Sequence, residues 1–338
     1  MRVAVLGRTK MLYDTIECLQ KAGHEIVVIG TCKAAPEYDI NENDFRKRAH
    51  LLSIPFFCSA DLDQQSIIEI LETVNADIAV SVNWLTIIRE NILGIFRYGV
   101  LNAHCGDLPR YRGNACPNWA IIKGEKQFAI SIHFMTEALD SGDIIKKEYY
   151  PITDATNITE IYKIAEAEIP KLFCSAIDDI EEGYMGSPQS TNPNDALRCY
   201  PRIPTDSIID WHLSCEEIVR LIRASAAPLE GAYTFYGNIK LHILECVMKN
   251  YISPCYVCPG QVISVNKKNG QVEIAASDGI IEFDKVVVDG KEIIASDILK
   301  STRIRLNYCL KEEIYLLRTQ IEQLERQVRM LYGSQNKL

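Results

Sequence analysis

Four apolar runs recur early in the chain: RVAVLG (2–7), IVVIGT (26–31), ADIAVSV (76–82) and YGVLNAH (98–104). The stretches between them are helical in period. MLYDTIECLQKAGHE (11–25) is apolar at helical spacing and stops at a glycine. PEYDINENDFRKRAHLLS reads as a loop plus a helix, and DQQSIIEILETVN as another helix. Strands that alternate with helices fold as a parallel α/β sheet, because each helix carries the chain back before the next strand. Such sheets bind ligands beyond the carboxyl ends of their strands. Asn102 and His104 sit at one of these ends. Two-residue spacing in an extended chain turns both side chains to the same side.

The first strand leads into GRTKML rather than GxGxxG. The glycine pattern that lets a backbone approach a dinucleotide is missing, which disfavours NAD. QFAISIHFM (127–135) alternates like a strand and is followed by an acidic, glycine-containing loop, TEALDSGDII (136–145). NITEIYKIAEAEIPKLFCSAIDDIEEG (157–183) is helical with an internal proline, and GSPQSTNPND (186–195) reads as a linker. The pattern then changes. CPGQVISVNKKNGQVEIAASDGIIEFDKVVVDGKEI has short β runs separated by Asn-Gly, Asp-Gly and Asp-Gly, which signal hairpins and a small β domain. In the tail, Ile314, Ile321 and Val328 recur every seven residues and interleave with Leu317, Leu324 and Leu331. β-Branched residues at a with Leu at d favour a parallel two-stranded coil. A terminal helix packed on its own domain would show a similar stripe.

A chain of 338 residues is better divided into more than one domain, and 47% hydrophobic with 24% charged residues is ordinary for a globular protein. A net charge of -9 argues against a surface that wraps nucleic acid. No apolar run reaches membrane-spanning length, and MRVAVLGRTK lacks the apolar stretch of a signal peptide. Twelve cysteines without regular spacing suit reduced thiols, so a cytoplasmic location is expected. Cys255 and Cys258 form a CxxC with no second CxxC or paired His nearby, and read as loop thiols.

Asp140 follows the strand that carries His133. A carboxylate near His104 orients the ring and raises its pKa by stabilising imidazolium. Asn102 offers an amide N–H beside that base, a pairing that suits acyl transfer. No G-x-S-x-G nucleophile is present, and Cys105, next to His104, points to the opposite face. Nothing resembles a metal cluster, and no metal is expected. On the residues alone, an N-x-H pair is more often a hydrogen-bonded core pair. His133 reads as packed or supporting, Trp119 as core, and Trp84 as a candidate cleft wall.

NAHCGDLPRYRGNACPNWAIIKGE, SIHFMTEALDSGDII and the spacing of Asn102, His104 and Asp140 closely resemble the folate-dependent formyltransferases. That family carries N-x-H-x-S-L-L-P-x-Y/W-R-G and then a D-x-G-D loop. YPRIPTDSIIDWHLSCEEIVRLIRASAAPLEGAYTFYGNIKLHI is similar to the second half of the methionyl-tRNA and UDP-4-amino-arabinose formyltransferases. The resemblance covers roughly residues 1–300 and leaves the heptad tail outside. It implies an α/β fold with a Rossmann-like catalytic domain over 1–190, a small β-rich, OB-like domain over 200–300 and a C-terminal helix over 303–332. It also implies 10-formyltetrahydrofolate as donor, with Asn102 stabilising the oxyanion, His104 moving the proton and Asp140 keeping His104 basic. Folate would lie against Thr86, Ile87 and Ile88, near Asn114, and along Thr136, Glu137, Ala138, Leu139 and Asp140. Arg112 and Arg202 are candidate substrate contacts, either to a phosphate or as loop supports. Two departures, Asp107 where Leu is common and Asn114 after YRG, are expected to alter the pocket rim.

Three acceptors compete: a nucleotide-linked amino sugar, the aminoacyl end of initiator tRNA, and glycinamide ribonucleotide. Enzymes for the last normally lack a second domain. The stretch TCKAAPEYDINENDFRKRAH, where the tRNA enzymes carry a basic loop, is mixed in sign and rich in acid. A sugar pyrophosphate needs only one or two cations. The expected partner is therefore the nucleotide sugar, with no nucleic acid, no membrane and a homodimeric chain. A non-catalytic folate-binding or assembly protein is the alternative from another class.

Overall fold

The alternating runs build an α/β unit, and the hairpin signals build a second, β-rich one. The computed structural model describes residues 1–36, 38–306 and 310–335. The first unit comprises Met1–Ser207 with Arg220–Gly231. In chain order it holds β1 (Arg2–Gly7), α1 (Thr9–Lys21), β2 (Glu25–Thr31), α2 (Glu42–Leu52), β3 (Phe56–Cys58), α3 (Gln65–Thr73), β4 (Ile78–Val82) and α4 (Glu90–Leu93). There follow β5 (Val100–His104), β6 (Arg112–Gly113), α5 (Cys116–Lys123), β7 (Gln127–Phe134), β8 (Ile144–Pro151), α6 (Ile158–Glu181) and β9 (Arg198–Cys199). α7 (Cys215–Ala224) belongs partly to each unit.

Seven strands form one sheet in the order β3-β2-β1-β4-β5-β7-β8. The first five are parallel, as the alternation predicts. β7 runs antiparallel to its neighbours β5 and β8, so the sheet is mixed. The register explains this: Leu101 faces Phe134 and His104 faces Ser131, so residues 105–126 stay at the end where β5 finishes and β7 must run back. Alternation along β1 sends Val3 and Val5 to one face, where they meet Leu12, Ile16, Ile169 and Phe173 of α1 and α6. Ala4 and Leu6 go to the other face, against Ile67 and Leu71 of α3. α6 opens with a capping box between Asn157 and Glu160 and runs through Pro170 to Glu181 without a break.

The second unit holds Ile208–Val219 and the chain from Ala232 onward. Its strands are β10 (Ala232–Tyr236), β11 (Ile239–Ile243), β12 (Val247–Lys249), β13 (Val262–Val265), β14 (Val272–Ala275), β15 (Ile280–Phe283), β16 (Lys285–Val288) and β17 (Lys291–Ile294). They form two four-stranded sheets, β10-β11-β16-β17 and β12-β15-β14-β13. The three expected turns fall between β13 and β14, β14 and β15, and β16 and β17. The last is a two-residue loop with Asp289 and Gly290 both at positive φ (48° and 74°), the geometry that Asp-Gly accommodates at a hairpin. The short helix α8 (Ala295–Ile298) follows, and α9 (Leu310–Gln335) contains the heptad stripe. Residues 304–306 precede α9 and are bound as extended chain, with Leu306 N–H donating to Gly260 O at 2.6 Å.

One tight point of the first unit is Gly7, with φ +148°, where an added Cβ would lie 2.3 Å from Val82 O and 2.9 Å from Leu12 Cδ2. Both the strained backbone and the clash with a neighbouring main chain oppose a side chain there. Gly7→Ala is expected to cost about 1–3 kcal/mol of stability, read from the urea midpoint. An unchanged midpoint would show that the β1–α1 turn relaxes freely.

Candidate active site

Asn102 and His104 alternate along β5 and share a face, and the antiparallel partner β7 sets His133 directly opposite Asn102 and Ser131 opposite His104. Two loops close over this face. The chain leaves β5 after His104, the 135–143 turn leaves β7 at the other end of the pairing, and Asp140 Oδ2 accepts Gly113 N–H at 2.8 Å where they meet. Asp140 Oδ2 lies 3.6 Å from His104 Nδ1, and its Oδ1 lies 3.6 Å from His133 Nε2. Asn102, His104 and Asp140 are thus brought together.

The backbone assigns the tautomers. His104 Nε2 is 2.6 Å from Tyr111 O. A carbonyl only accepts, so Nε2 carries the proton and neutral His104 presents its lone pair at Nδ1, toward Asp140. His133 Nδ1 donates in the same way to Phe134 O at 2.8 Å. Its Nε2 then accepts from Asn102 Nδ2 at 3.2 Å, which holds the amide and leaves its second N–H for an incoming oxygen. His133 is therefore the support that orients Asn102. Gly106 permits the His104 arrangement, since a Cβ there would meet Tyr111 O at 2.3 Å and His104 Nε2 at 2.5 Å.

Burial dominates the electrostatics of His104. It lowers the pKa, and the Asp140 carboxylate, which pushes the other way, does not overcome it. The charge argument from sequence has the right sign for Asp140 but not for the net effect. Burial also pushes Asp140 up, yet the His104 charge, the His133 ring and the Gly113 N–H outweigh it and hold the carboxyl at about 2. At neutral pH His104 is uncharged and Asp140 is ionised. The buried thiol of Cys105 is pushed up to about 12, so it supplies no thiolate. The loops are also strained: Tyr111, Ala115 and Asp140 all have positive φ (57°, 52° and 48°).

A cavity of about 670 Å³ opens on these groups. Thr86, Ile87, Ile88, Asn114, Thr136, Glu137, Ala138, Leu139 and Asp140 all line it, together with Trp84. Arg112 and Arg202 do not line it. Arg112 Nη2 donates to Gln189 Oε1 at 2.5 Å, and Gln189 Nε2 donates to Asp140 O and Gly142 O at 2.9 and 2.8 Å. Arg112 thus braces the Asp140 loop. Arg202 donates to Asp206 O and Ser207 Oγ at 3.1 Å each. The cavity cations are Lys10 and Lys163, which no motif singled out. Asp107 is not on this cavity's rim: it pairs with Lys147 Nζ at 3.0 Å and accepts Tyr149 O–H at 2.8 Å. Asn114 is on the rim. Among the described residues, no cluster of three or more His, Cys, Asp or Glu could hold a metal ion. No described helix is long and apolar enough to cross a membrane.

Comparison with known proteins agrees with this geometry. Residues 1–177 match the formyl transferase family, and residues 203–303 match the formyl transferase C-terminal domain. A methionyl-tRNA formyltransferase of Pelotomaculum thermopropionicum is 27% identical over 308 residues, covering 89% of this chain and 96% of the relative. Among solved structures, the sugar 3N-formyl transferase WlaRD, crystallised with dTDP and 5-N-formyl-THF, has a TM-score of 0.60 at 16% identity. That match covers 86% of this chain and 98% of WlaRD. HypX from Aquifex aeolicus, in complex with tetrahydrofolic acid, has a TM-score of 0.58 at 18% identity. Here the match covers 88% of this chain but spans only 47% of HypX. The structural likenesses establish a shared fold. With the first 177 residues matched as one domain and most of the cavity around Asn102, His104 and Asp140 drawn from them, the chain belongs to the folate-dependent formyl transferase family.

Proposed function

We propose that this enzyme transfers the formyl group of 10-formyltetrahydrofolate to the amine of a nucleotide-linked amino sugar, a 4-amino-4,6-dideoxyhexose of the kind built into cell-surface glycans. The observation that carries the chemistry is the convergence of Asn102, His104 and Asp140 on one cavity. The cavity suits the donor: Trp84, Ile88 and Leu139 offer apolar walls for a flat ring system, and the 136–140 loop offers backbone polar groups. 10-Formyltetrahydrofolate supplies the formyl carbon. The second N–H of Asn102 stabilises negative charge as it develops on the formyl oxygen. His104 Nδ1 takes the proton from the attacking amine, Asp140 stabilises the resulting imidazolium, and the imidazolium returns the proton to N10 as the formyl C–N10 bond breaks and tetrahydrofolate leaves. Gln189 and Arg112 keep the Asp140 loop in place while this happens.

The acceptor assignment rests on charge. Lys10, which is ion-paired with Asp14, and Lys163 line the cavity beside Asp39, Glu137 and Glu166. Two cations suit one pyrophosphate, whereas a tRNA backbone calls for a clustered basic surface. Free thiols at all eleven described cysteines accord with a cytoplasmic enzyme. A second reading, formylation of aminoacylated initiator tRNA, draws support from the 27% identity to a methionyl-tRNA formyltransferase over nearly its full length. UDP-, dTDP-, GDP- and CMP-linked amino sugars and charged initiator tRNA should be assayed side by side with 10-formyltetrahydrofolate. A sugar nucleotide is expected to be the best acceptor, and a comparable or faster rate on tRNA would select the second reading.

Two further outcomes test the catalytic roles. Asn102→Ala and His104→Asn are each expected to lower kcat by on the order of a hundredfold or more while leaving the fold intact. Near-normal turnover in either variant would remove that residue from the mechanism. The reaction needs neutral His104, so kcat falls as pH drops through its pKa. Because burial lowers that pKa, the acidic limb is expected below the ordinary imidazole value of about 6.5. Asp140→Asn removes the charge that favours imidazolium and should move the limb further toward acid. A shift toward alkali would show that Asp140 acts by some other means.

A further inference from the structure

We propose that α9 forms a parallel two-stranded coiled coil with α9 of a second copy of this chain. The helix lies beyond both family matches, the second of which ends at residue 303, so formyl transfer does not account for it. Its stripe is open to solvent at every described position. Ile314, Leu317, Ile321, Leu324 and Val328 are between 39 and 60% exposed. Among the described residues of α9, the hydrogen bond of Thr319 to Tyr315 and the ion pair of Arg329 with Glu325 both stay inside the helix.

The pattern says what covers the stripe. A helix that packs on its own domain carries an apolar band about 100° wide or more, which extends into the e or g positions. Here g holds Glu313, Gln320 and Gln327, and e holds Arg318, Glu325 and Tyr332. Five of these six are polar, so the seam is confined to a and d, the width a second helix covers. β-Branched Ile and Val at a with Leu at d select two parallel strands. The flanking charges suit a second identical helix. In a parallel pair each g faces the e of the following heptad on the other chain: Glu313 meets Arg318, Gln320 meets Glu325, and Gln327 meets Tyr332. One pair is of opposite charge and none is of like charge. Three heptads are a marginal length, so the association is reversible and dependent on concentration.

Sedimentation of the full chain over a range of concentrations tests this. The wild-type chain should show a monomer–dimer equilibrium. Leu317→Glu combined with Leu324→Glu should weaken it by on the order of a hundredfold or more, with formyl transfer unchanged as a check on folding. Arg318→Glu alone should also weaken it, because it sets Glu against Glu313 across the seam. Adding Glu313→Arg to Arg318→Glu should restore it. A wild-type chain that is monomeric throughout, or a Leu317→Glu/Leu324→Glu chain that dimerises as the wild type does, would overturn the proposal. Failure of the charge swap to restore affinity would overturn the parallel register.

Discussion

The short antiparallel pairing of β5 with β7 is the constraint from which the site follows. It sets His133 against Asn102 and Ser131 against His104. A slip of one residue would turn Asn102 and His104 to the opposite face of the sheet. The pairing also sends the 105–113 segment and the 135–143 turn over the same strand face. The Gly113 N–H to Asp140 bond and the Arg112–Gln189 brace then hold them there. Backbone strain at Tyr111, Ala115 and Asp140 is tolerated because these contacts over-determine the loops.

Within this frame, burial and charge divide the work. A dry surrounding favours the neutral ring of His104, and it strengthens the electrostatic interactions of the groups around it. Asp140 stays ionised in the same surroundings because His104, the His133 ring and the Gly113 N–H together outweigh its burial. The carboxylate therefore lies 3.6 Å from His104 Nδ1 without overcoming the effect of burial on the ring. His133 serves the amide rather than the base, and the Phe134 carbonyl makes this possible by occupying its Nδ1 proton.

Much of the site was legible in the chain. Two-residue spacing places Asn102 and His104 together, and the loop motif supplies Asp140. Every residue expected to line the folate cleft does line the cavity. Other features carried no local signal. β8 alternates weakly because it is an edge strand with Lys147 and Glu148 partly or fully exposed, so its pattern resembles a loop. The reversal of β7 depends on where residues 105–126 travel, which periodicity does not encode. Arg112 and Arg202 look like phosphate ligands in a motif, yet Gln189, far along the chain, claims the first and the 206–207 backbone and hydroxyl claim the second. Asp107 likewise finds Lys147 on a strand that the sequence hardly announces.

By itself the sequence determined the layers, the hairpins of the second unit, the candidate residues that meet at the site and a heptad register in the tail. These follow from local rules: side-chain period, turn stereochemistry and residue chemistry. The tertiary structure decided which nitrogen of His104 and of His133 carries the proton, the sign of the shift at His104, and which cations face the cavity. Those properties depend on a carbonyl, a carboxylate or a wall contributed by residues distant in the chain, and on how much water the packing excludes. Neither spacing nor composition records them.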